Sequence, residues 1–520
     1  MDDEDRITYV VLCAAGLEDL AGADVAARCG VPASCVRVGR GPPESDRWDP
    51  SAPPGIWPGA AGVGRLLVSL PRPRDGAGWD ARRRELASLP CAAGLLALVC
   101  EVGGVEASHH GLDAVHAAVR GAARWPDALE AHRRHRRLAD GEVPFRASAV
   151  RDGRHDWTSE DLARCVGDAC PSDAALAPNL ERFELEVVAL CLQSACLVGL
   201  NLWPRDATFR RSGCGAEPRP LLPFAGRVPR LRLSTAALML TLAGVEAGDV
   251  VLDPMCGVGT IPALAAALLP VAFALGGDVE PDSVARARAN ALGDPRGDDD
   301  AWHADERTYA GGSGVAECCA VWSSDALPLR SGSVDRVVVD LPFGKMHQVR
   351  GKGGRVNARR SLLEKTLGHC ARCARPGGRL VALAGSRRAL DDAVDAAHWR
   401  HGRKLPINCG GAVHWIGVYE RTAEPWAGHR RPAFAPKKRR GKRRKAAPDD
   451  VGAAGAAPGG GDAREDAPGG GGGAREDAAG GGDTCGDASS RAPSVAPRWA
   501  AALIAAGVAV AVFRWRRRRL

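Results

Sequence analysis

The chain reads as an α/β protein built on an open, Rossmann-like sheet, and three stretches carry that reading. Val337 to Val339 is a β-branched run that leads straight into Asp340-Leu-Pro-Phe-Gly344. Val250 to Leu252 is a second strand-like run, followed by Asp253-Pro-Met-Cys-Gly257-Val-Gly259-Thr260 and an Ala/Leu-rich helix over Ile261 to Leu269. A third run, Ala272 to Leu275, ends in Gly276-Gly-Asp278-Val-Glu280-Pro about 25 residues on, where such folds place a ribose-binding carboxylate.

Taken in chain order, Ile7 to Cys13 predicts a strand and Leu17 to Cys29 a helix, with a Pro/Gly/Trp-rich stretch running to Pro58 and mixed segments beyond it. From Val143 the pattern sharpens. Phe145 to Ala149 alternates like a strand, Ser159 to Cys170 predicts a capped helix, and Phe183 to Val187 and Cys196 to Leu202 predict strands. Residues 290–320 are Gly/Asp-rich without periodicity and predict a surface loop. After them Ser324-Asp325-Ala-Leu-Pro-Leu329 puts an acid at a strand–helix junction. An amphipathic helix near Ser361 to Ala374, the turn Arg375-Pro-Gly-Gly378 and a strand from Arg379 to Leu383 complete the order.

The chemistry concentrates at the strand ends. Asp340 falls at the carboxyl end of its strand, where open α/β sheets bind ligands. Leu341 precedes Pro342, which biases it to an extended backbone that aims its carbonyl outward. Phe343 offers a flat apolar face, and Gly344 lets the chain turn away. An acid, a carbonyl and a ring within four residues make a cradle for a planar group that carries an exocyclic amine. The glycine turn at Gly257 and Gly259 brings backbone N–H groups and a helix N-terminus up to a ligand, and by itself it suits a dinucleotide as well as S-adenosylmethionine.

The order of these motifs is that of a class I S-adenosylmethionine methyltransferase. Asp253-Pro-Met-Cys-Gly-Val-Gly-Thr-Ile261 together with Asp340-Leu-Pro-Phe-Gly-Lys345 resembles the THUMP-domain RNA guanine-N2 methyltransferases, most of all the eukaryotic THUMP-domain-containing protein 3 group. The resemblance runs from about residue 144 to 421. Arg330-Ser-Gly-Ser-Val-Asp335 and Asn408-Cys-Gly-Gly-Ala412, before a strand over Val413 to Tyr419, share in it. It implies S-adenosylmethionine as cofactor, with Asp253, Cys256, Gly257, Gly259, Thr260, Asp278 and Asp325 lining its site. It implies that Asp340, Leu341, Pro342 and Phe343 hold a guanine whose N2 is methylated, in tRNA or in a spliceosomal small nuclear RNA. Arg146, Lys345 and the pair Arg210 and Arg211 are the implied RNA contacts, and a small zinc-binding activator subunit is the implied protein partner. The implied organisation is a ferredoxin-like region over 1–140, a THUMP domain over 141–211, a linker over 212–235 and the methyltransferase domain over 236–421. Two other readings stay open: a methyltransferase acting on protein glutamine, adenine or a small molecule, and an RNA-binding adaptor that kept the fold without the activity.

Composition is consistent with this and narrows the setting. At 520 residues with a net charge of +8, the chain holds two or three domains, and part of the charge sits in the tail. The acidic start Met-Asp-Asp-Glu-Asp is not a secretory signal, so the seventeen cysteines are expected as reduced thiols in a cytoplasmic or nuclear protein. Cys370 and Cys373 form the one C-x-x-C pair and are expected to pack rather than bind metal; no metal site is expected. Cys256 is expected to be structural, because a guanine amine needs no covalent adduct. Beyond Arg421 come the basic cluster of residues 437–445, a Gly/Ala/Asp-rich tether that twice repeats Ala-Arg-Glu-Asp-Ala, and finally the apolar run Trp499 to Phe513 ahead of Arg514 and Arg516 to Arg519. Fifteen residues rise about 22 Å as a helix, short of the roughly 30 Å of a bilayer core, so membrane contact is not the expectation for this run.

Overall fold

The computed structural model describes residues 5–39, 64–138, 141–171, 175–203, 230–292, 316–342, 355–409 and 412–428. They form two sheets. Phe343, Lys345, Arg210, Arg211, the basic cluster and the C-terminal apolar run lie outside the described residues.

The first sheet has eight strands. Its first half is built from β1 (Arg6–Leu12), β2 (Val36–Val38), β3 (Arg65–Pro71) and β4 (Gly94–Gly103); its second from β5 (Val143–Asp152), β6 (Leu176–Pro178), β7 (Leu185–Leu192) and β8 (Ala195–Asn201). Their order is β2-β3-β1-β4-β8-β7-β5-β6. The antiparallel pair β4–β8, with Leu96 opposite Asn201 and Gly103 opposite Ala195, joins strands β1 to β4 and β5 to β8 into one sheet. Five helices accompany these strands: α1 (Glu18–Arg28), α2 (Gly76–Ala87), α3 (His110–Arg120), α4 (Trp125–Arg136) and α5 (Ser159–Asp168). Alternate strand residues such as Tyr9, Val11, Val68, Ala97, Val187 and Val198 share one core with Ala21, Val25, Leu86, Val119, Ala131 and Leu162 of these helices. The expected cap of α5 is a capping box, in which Thr158 Oγ1 accepts from the Asp161 N–H and the Asp161 carboxylate accepts from the Thr158 N–H.

The second sheet has seven strands: β9 (Val250–Asp253), β10 (Phe273–Asp278), β11 (Ala316–Val321), β12 (Val334–Asp340), β13 (Ala374–Ala384), β14 (Trp399–Cys409) and β15 (Ala412–Arg421). They run in the order β11-β10-β9-β12-β13-β15-β14. The first five are parallel, and β15 alone turns back, pairing antiparallel with β13 on one side and β14 on the other. Val251, Leu252, Val337, Val338 and Val339 are fully buried, as strands covered on both faces require. The helices are α6 (Leu233–Ala243), α7 (Thr260–Leu268), α8 (Pro281–Leu292), α9 (Arg355–Cys373) and α10 (Arg387–Ala393). The second sheet meets the loop after β1, where the Asn408 N–H of β14 donates to the Ala15 carbonyl at 3.0 Å.

Three elements differ from expectation. The loop expected over residues 290–320 gives up its last five residues to β11, whose short Ala-Glu-Cys-Cys-Ala-Val run has no period-two pattern to mark it. The turn at Arg375-Pro-Gly-Gly378 lies inside β13, where the register against β12 slips between Val334 and Arg336 and Gly377 takes φ +79°. Helix α6 starts at Leu233, inside the expected linker, and ten of its eleven residues are buried. That all-round burial explains why no amphipathic pattern announced it.

Candidate active site

The carboxyl ends of β10, β9 and β12 are neighbours, and each carries an aspartate. Gly276 pairs with Asp253 and Leu252 with Val337, so Asp278 and Asp340 both stand about one pleat beyond Asp253 on either side of it. Asp253 forms the floor. It is buried, it accepts from the Met255 N–H at 3.0 Å, and burial holds its carboxyl well above the usual range, with Asp340 and Asp278 adding to the effect. Asp340 is half-buried, and burial pushes its carboxyl up to about 7. Its Oδ1 meets no hydrogen-bond partner among the described residues. A solvent-poor carboxylate oxygen left unpaired at a strand end is a poised acceptor.

The glycine turn lies on the other side of the floor. Gly257 and Gly259 have φ +54° and +86°, which a side chain would strain, and a Cβ at Gly257 would meet nothing within 4 Å. Open space over that backbone is what close approach of a ligand needs. The Gly257 N–H donates to Asp278 Oδ2 at 2.9 Å and the Glu280 N–H to Oδ1 at 3.0 Å, so two amides orient the carboxylate. Gly259 precedes α7, and buried Thr260 begins that helix. The Cys256 N–H donates to the Gly277 carbonyl at 2.9 Å. Its side chain lies over Gly276, within 3.1 Å of where a Cβ would be, and its thiol is pushed up by contact with Cys319 and by burial. A thiol raised in this way is kept protonated, away from the thiolate form that attacks.

Two residues that the motifs did not single out complete the wall. Trp322, the first residue after β11, lies across Gly277, where a Cβ would stand 1.8 Å from its ring. Its Nε1–H donates to the Pro254 carbonyl at 3.1 Å and its N–H to the Asp278 carbonyl at 3.0 Å. One indole thereby ties three strand ends together. Val279, next to Asp278, is 63% exposed, an apolar side chain left in the open beside the carboxylates. Val279 was signalled by its place beside Asp278, whereas the role of Trp322 depends on Gly277 of the neighbouring strand and has no local signal.

Asp325 sits in a one-turn 3-10 helix, Ser324–Ala326, with Lys365 of α9 at 3.8 Å. The segment is bolted to α9 from below. Ser324 and Thr366 share a buried hydroxyl hydrogen bond of 2.9 Å, and Arg372 donates to the Leu327 and Leu329 carbonyls at 2.7 and 2.6 Å. Leu341 is buried and its N–H donates to the Leu383 carbonyl at 2.9 Å, while Pro342 is half-buried, so the cradle starts from a fixed point. Phe343 and Lys345 are not described. Arg146 lies on the other sheet, where it donates to buried Glu186 at 2.9 Å and stacks over Phe183 with its guanidinium 4.0 Å from the ring centroid. Its charge is engaged within the sheet. Cys370 and Cys373 are fully buried in the core beneath α9, and no metal-ligand cluster occurs among the described residues.

The residues fit S-adenosylmethionine better than a dinucleotide. Acidic side chains around an open glycine turn disfavour a pyrophosphate and favour a sulfonium and an ammonium group. Asp278 suits ribose hydroxyls, and Asp325, at the far end of the same edge, suits an adenine amine.

Residues 228–413 match a family described as RMKL-like, methyltransferase domain. A tRNA (guanine(6)-N(2))-methyltransferase THUMP3 of Bos taurus is 28% identical over 293 residues, covering 55% of this chain and 53% of that protein. A U6 snRNA (guanine-N(2))-methyltransferase THUMPD2 of Mus musculus is 33% identical over 286 residues, covering 55% and 44%. A tRNA (guanine(6)-N2)-methyltransferase of Archaeoglobus fulgidus is 24% identical and covers 62% of this chain and 77% of that one. The chain thus spans about half the length of the mammalian relatives it matches. Among solved structures, TrmN from Thermus thermophilus superposes with a TM-score of 0.52 at 21% identity, covering 80% of this chain and 99% of that chain.

Proposed function

We propose that this chain is a THUMP-domain guanine-N2 methyltransferase, which transfers a methyl group from S-adenosylmethionine to N2 of a guanine in structured RNA. The first substrate is the acceptor-stem region of tRNA, and a spliceosomal small nuclear RNA is the second. The observation that carries this reading is the row of Asp278, Asp253 and Asp340 across three adjacent strand ends, with a buried Asp340 oxygen that meets no hydrogen-bond partner among the described residues.

When bound, the cofactor supplies an electrophilic methyl on a sulfonium. The backbone at Gly257 and Gly259 would accommodate its methionine part, Asp278 its ribose and Asp325 its adenine amine. On the substrate side, Phe343 stacks on a guanine that has left its duplex or was never paired. Asp340 and the Leu341 carbonyl accept the two N2 hydrogens. A guanine amine is a poor nucleophile because its lone pair is conjugated with the ring. Holding both hydrogens turns that lone pair out of conjugation and toward the methyl at near-attack distance. As the new N–C bond forms, N2 must lose a proton, and a carboxylate that titrates near neutrality is matched to receiving it at Oδ1.

The module over 141–211 serves as the THUMP domain, which binds the RNA by shape and end. Arg210 and Arg211 supply phosphate contacts between the two modules. A small zinc-binding activator would add to the open edge of the second sheet, where β11 ends in Val321, 52% exposed. Cytoplasm or nucleus is the proposed setting. Among the described residues no helix is long and apolar enough to cross a membrane. Mass spectrometry of RNA from cells lacking this chain tests the reading: one N2-methylguanosine should vanish and return on re-expression, whereas an unchanged set of methylguanosines counts against it.

A further inference from the structure

The turn between β7 and β8 is two residues long, Gln193 and Ser194, with Gln193 at φ +50°, as the primed hairpin turns require. Leu192 and Ala195 close it, so the next pair in, Cys191 opposite Cys196, is one whose residues share no ladder hydrogen bonds. Such partners bring their Cα atoms to about 4.5 Å, inside the range of about 4.4–6.8 Å that a disulfide spans. Both side chains lie on the core face, both are free thiols, and each residue is 2% exposed. The surroundings single out Cys191. Its Sγ lies 3.4 Å from the Gln193 carbonyl and 3.9 Å from His155 Nε2. That nitrogen is also 2.9 Å from the Gln193 carbonyl, which can only accept, so Nε2 is assigned the hydrogen. Nδ1 then accepts from Arg151 Nη1 at 3.4 Å. The row Arg151, His155, Cys191 thus directs positive charge at one sulfur. Arg151 and His155 are half-buried, so one flank of this sulfur borders on side chains that reach solvent. The Cys191 thiol is held below its ordinary value by Cys196 first and then by the charges of Arg65 and Arg151, whereas the Cys196 thiol is pushed well above it by Cys191 and by burial.

We propose that Cys191 and Cys196 are a peroxide-responsive pair that closes to a disulfide across β7 and β8. The oxidant is hydrogen peroxide. The Cys191 thiol gives up its proton, and the thiolate attacks one peroxide oxygen. An S–O bond forms, the O–O bond breaks, and the departing hydroxide takes that proton and leaves as water. Cys191 is then a sulfenic acid. The Cys196 sulfur attacks the Cys191 sulfur, the S–S bond forms and the S–O bond breaks. The second hydroxide takes the Cys196 proton and also leaves as water. Two thiols are oxidised and one peroxide is reduced to two waters. The roles are unequal, Cys191 attacking and Cys196 resolving, because only Cys191 has the histidine and arginine beside it. Cys256 and Cys319 are a second pair in contact, without that setting. The Cys256 thiol is pushed up by Cys319 and by burial, with Asp253 and Asp278 adding to the effect. The two pairs should therefore differ in rate within one molecule.

The test uses the full chain, reduced, desalted and treated with hydrogen peroxide, and needs neither RNA nor cofactor. Residues 183–205 form one tryptic peptide that holds both thiols and no other cysteine. After peroxide this peptide should be lighter by two hydrogens and take up no iodoacetamide until it is reduced, while Cys256 is still alkylated. In Cys196→Ser, dimedone should trap a sulfenic acid at Cys191; in Cys191→Ser, Cys196 should stay a thiol. His155→Phe keeps both thiols and should slow closure about three- to tenfold, because the Cys191 thiolate loses a hydrogen-bond donor. Three results would overturn the proposal: two alkylated cysteines in the wild-type peptide once Cys256 has begun to oxidise, a bond from Cys196 to Cys100 instead, or closure of His155→Phe at the wild-type rate. A sulfenic acid trapped at Cys196 but not at Cys191 would overturn the assignment of roles.

Discussion

The Gly257 N–H donates to Asp278 Oδ2 at 2.9 Å, so the glycine turn after β9 is held by the carboxylate that ends β10. The backbone proposed to hold the cofactor and the acid proposed to bind its ribose are therefore one unit, and disturbing the acid disturbs both. Asp278→Ala should weaken S-adenosylmethionine binding by about ten- to hundredfold, since hydrogen bonds to a charged group contribute about 1.5–3 kcal/mol each. Calorimetric titration checks this. Binding within twofold of wild type would remove Asp278 from the site.

Gly277 should tolerate no side chain, because a Cβ there would stand 1.8 Å from the Trp322 ring. Gly277→Ala must push the indole off Pro254 and loosen three strand ends together. Overpacking of this kind costs about 1–3 kcal/mol. The denaturation midpoint should fall and cofactor affinity with it, while Trp322→Phe should lose affinity with a smaller loss of stability.

Asp340 links function to a cost in stability. Its native carboxyl titrates at about 7 against 3.8 for an ordinary one, so the fold binds this proton more tightly than the unfolded chain does. The resulting stabilisation is complete below about pH 4 and is lost as pH rises through 7. Asp340→Asn removes the buried charge and should melt higher than wild type at pH 8, with the two converging near pH 4. Wild-type kcat/KM should rise with pH toward a plateau above about 7, the pH at which Oδ1 becomes free to accept.

Much of this site was legible in the sequence because backbone demands write themselves into residue type. Asp253, Gly257, Gly259, Asp278 and Asp340 each occupy a strand end or a positive-φ turn that few other residues can fill. What escaped was tertiary. Trp322 matters because Gly277, on a neighbouring strand, makes room for it, and nothing local to either residue says so. The β4–β8 pairing that joins the first 200 residues into one sheet links segments about a hundred residues apart, beyond the range of any period. Helix α6 and strand β11 were hidden for opposite reasons: one is apolar all round, the other short and without alternation.

The paired arginines make a salt-dependent prediction. Neutralising Arg210 and Arg211 together should weaken binding to substrate RNA and lower the slope of log affinity against log salt by about one to two, because fewer counterions are released. An identical slope in the double variant would show that neither arginine meets a phosphate.

In the proposed reaction Asp340 holds the guanine amine for methyl transfer. Its most direct measurement is transfer of labelled methyl from S-adenosylmethionine to N2 of guanine in a tRNA transcript, comparing wild type with Asp340→Ala at pH 8 and scoring N2-methylguanosine by mass spectrometry. The variant should fold, bind the cofactor within a few-fold of wild type and lose at least about a hundredfold in kcat, as expected when an interaction made only in the transition state is removed. Near-normal turnover by Asp340→Ala would contradict it.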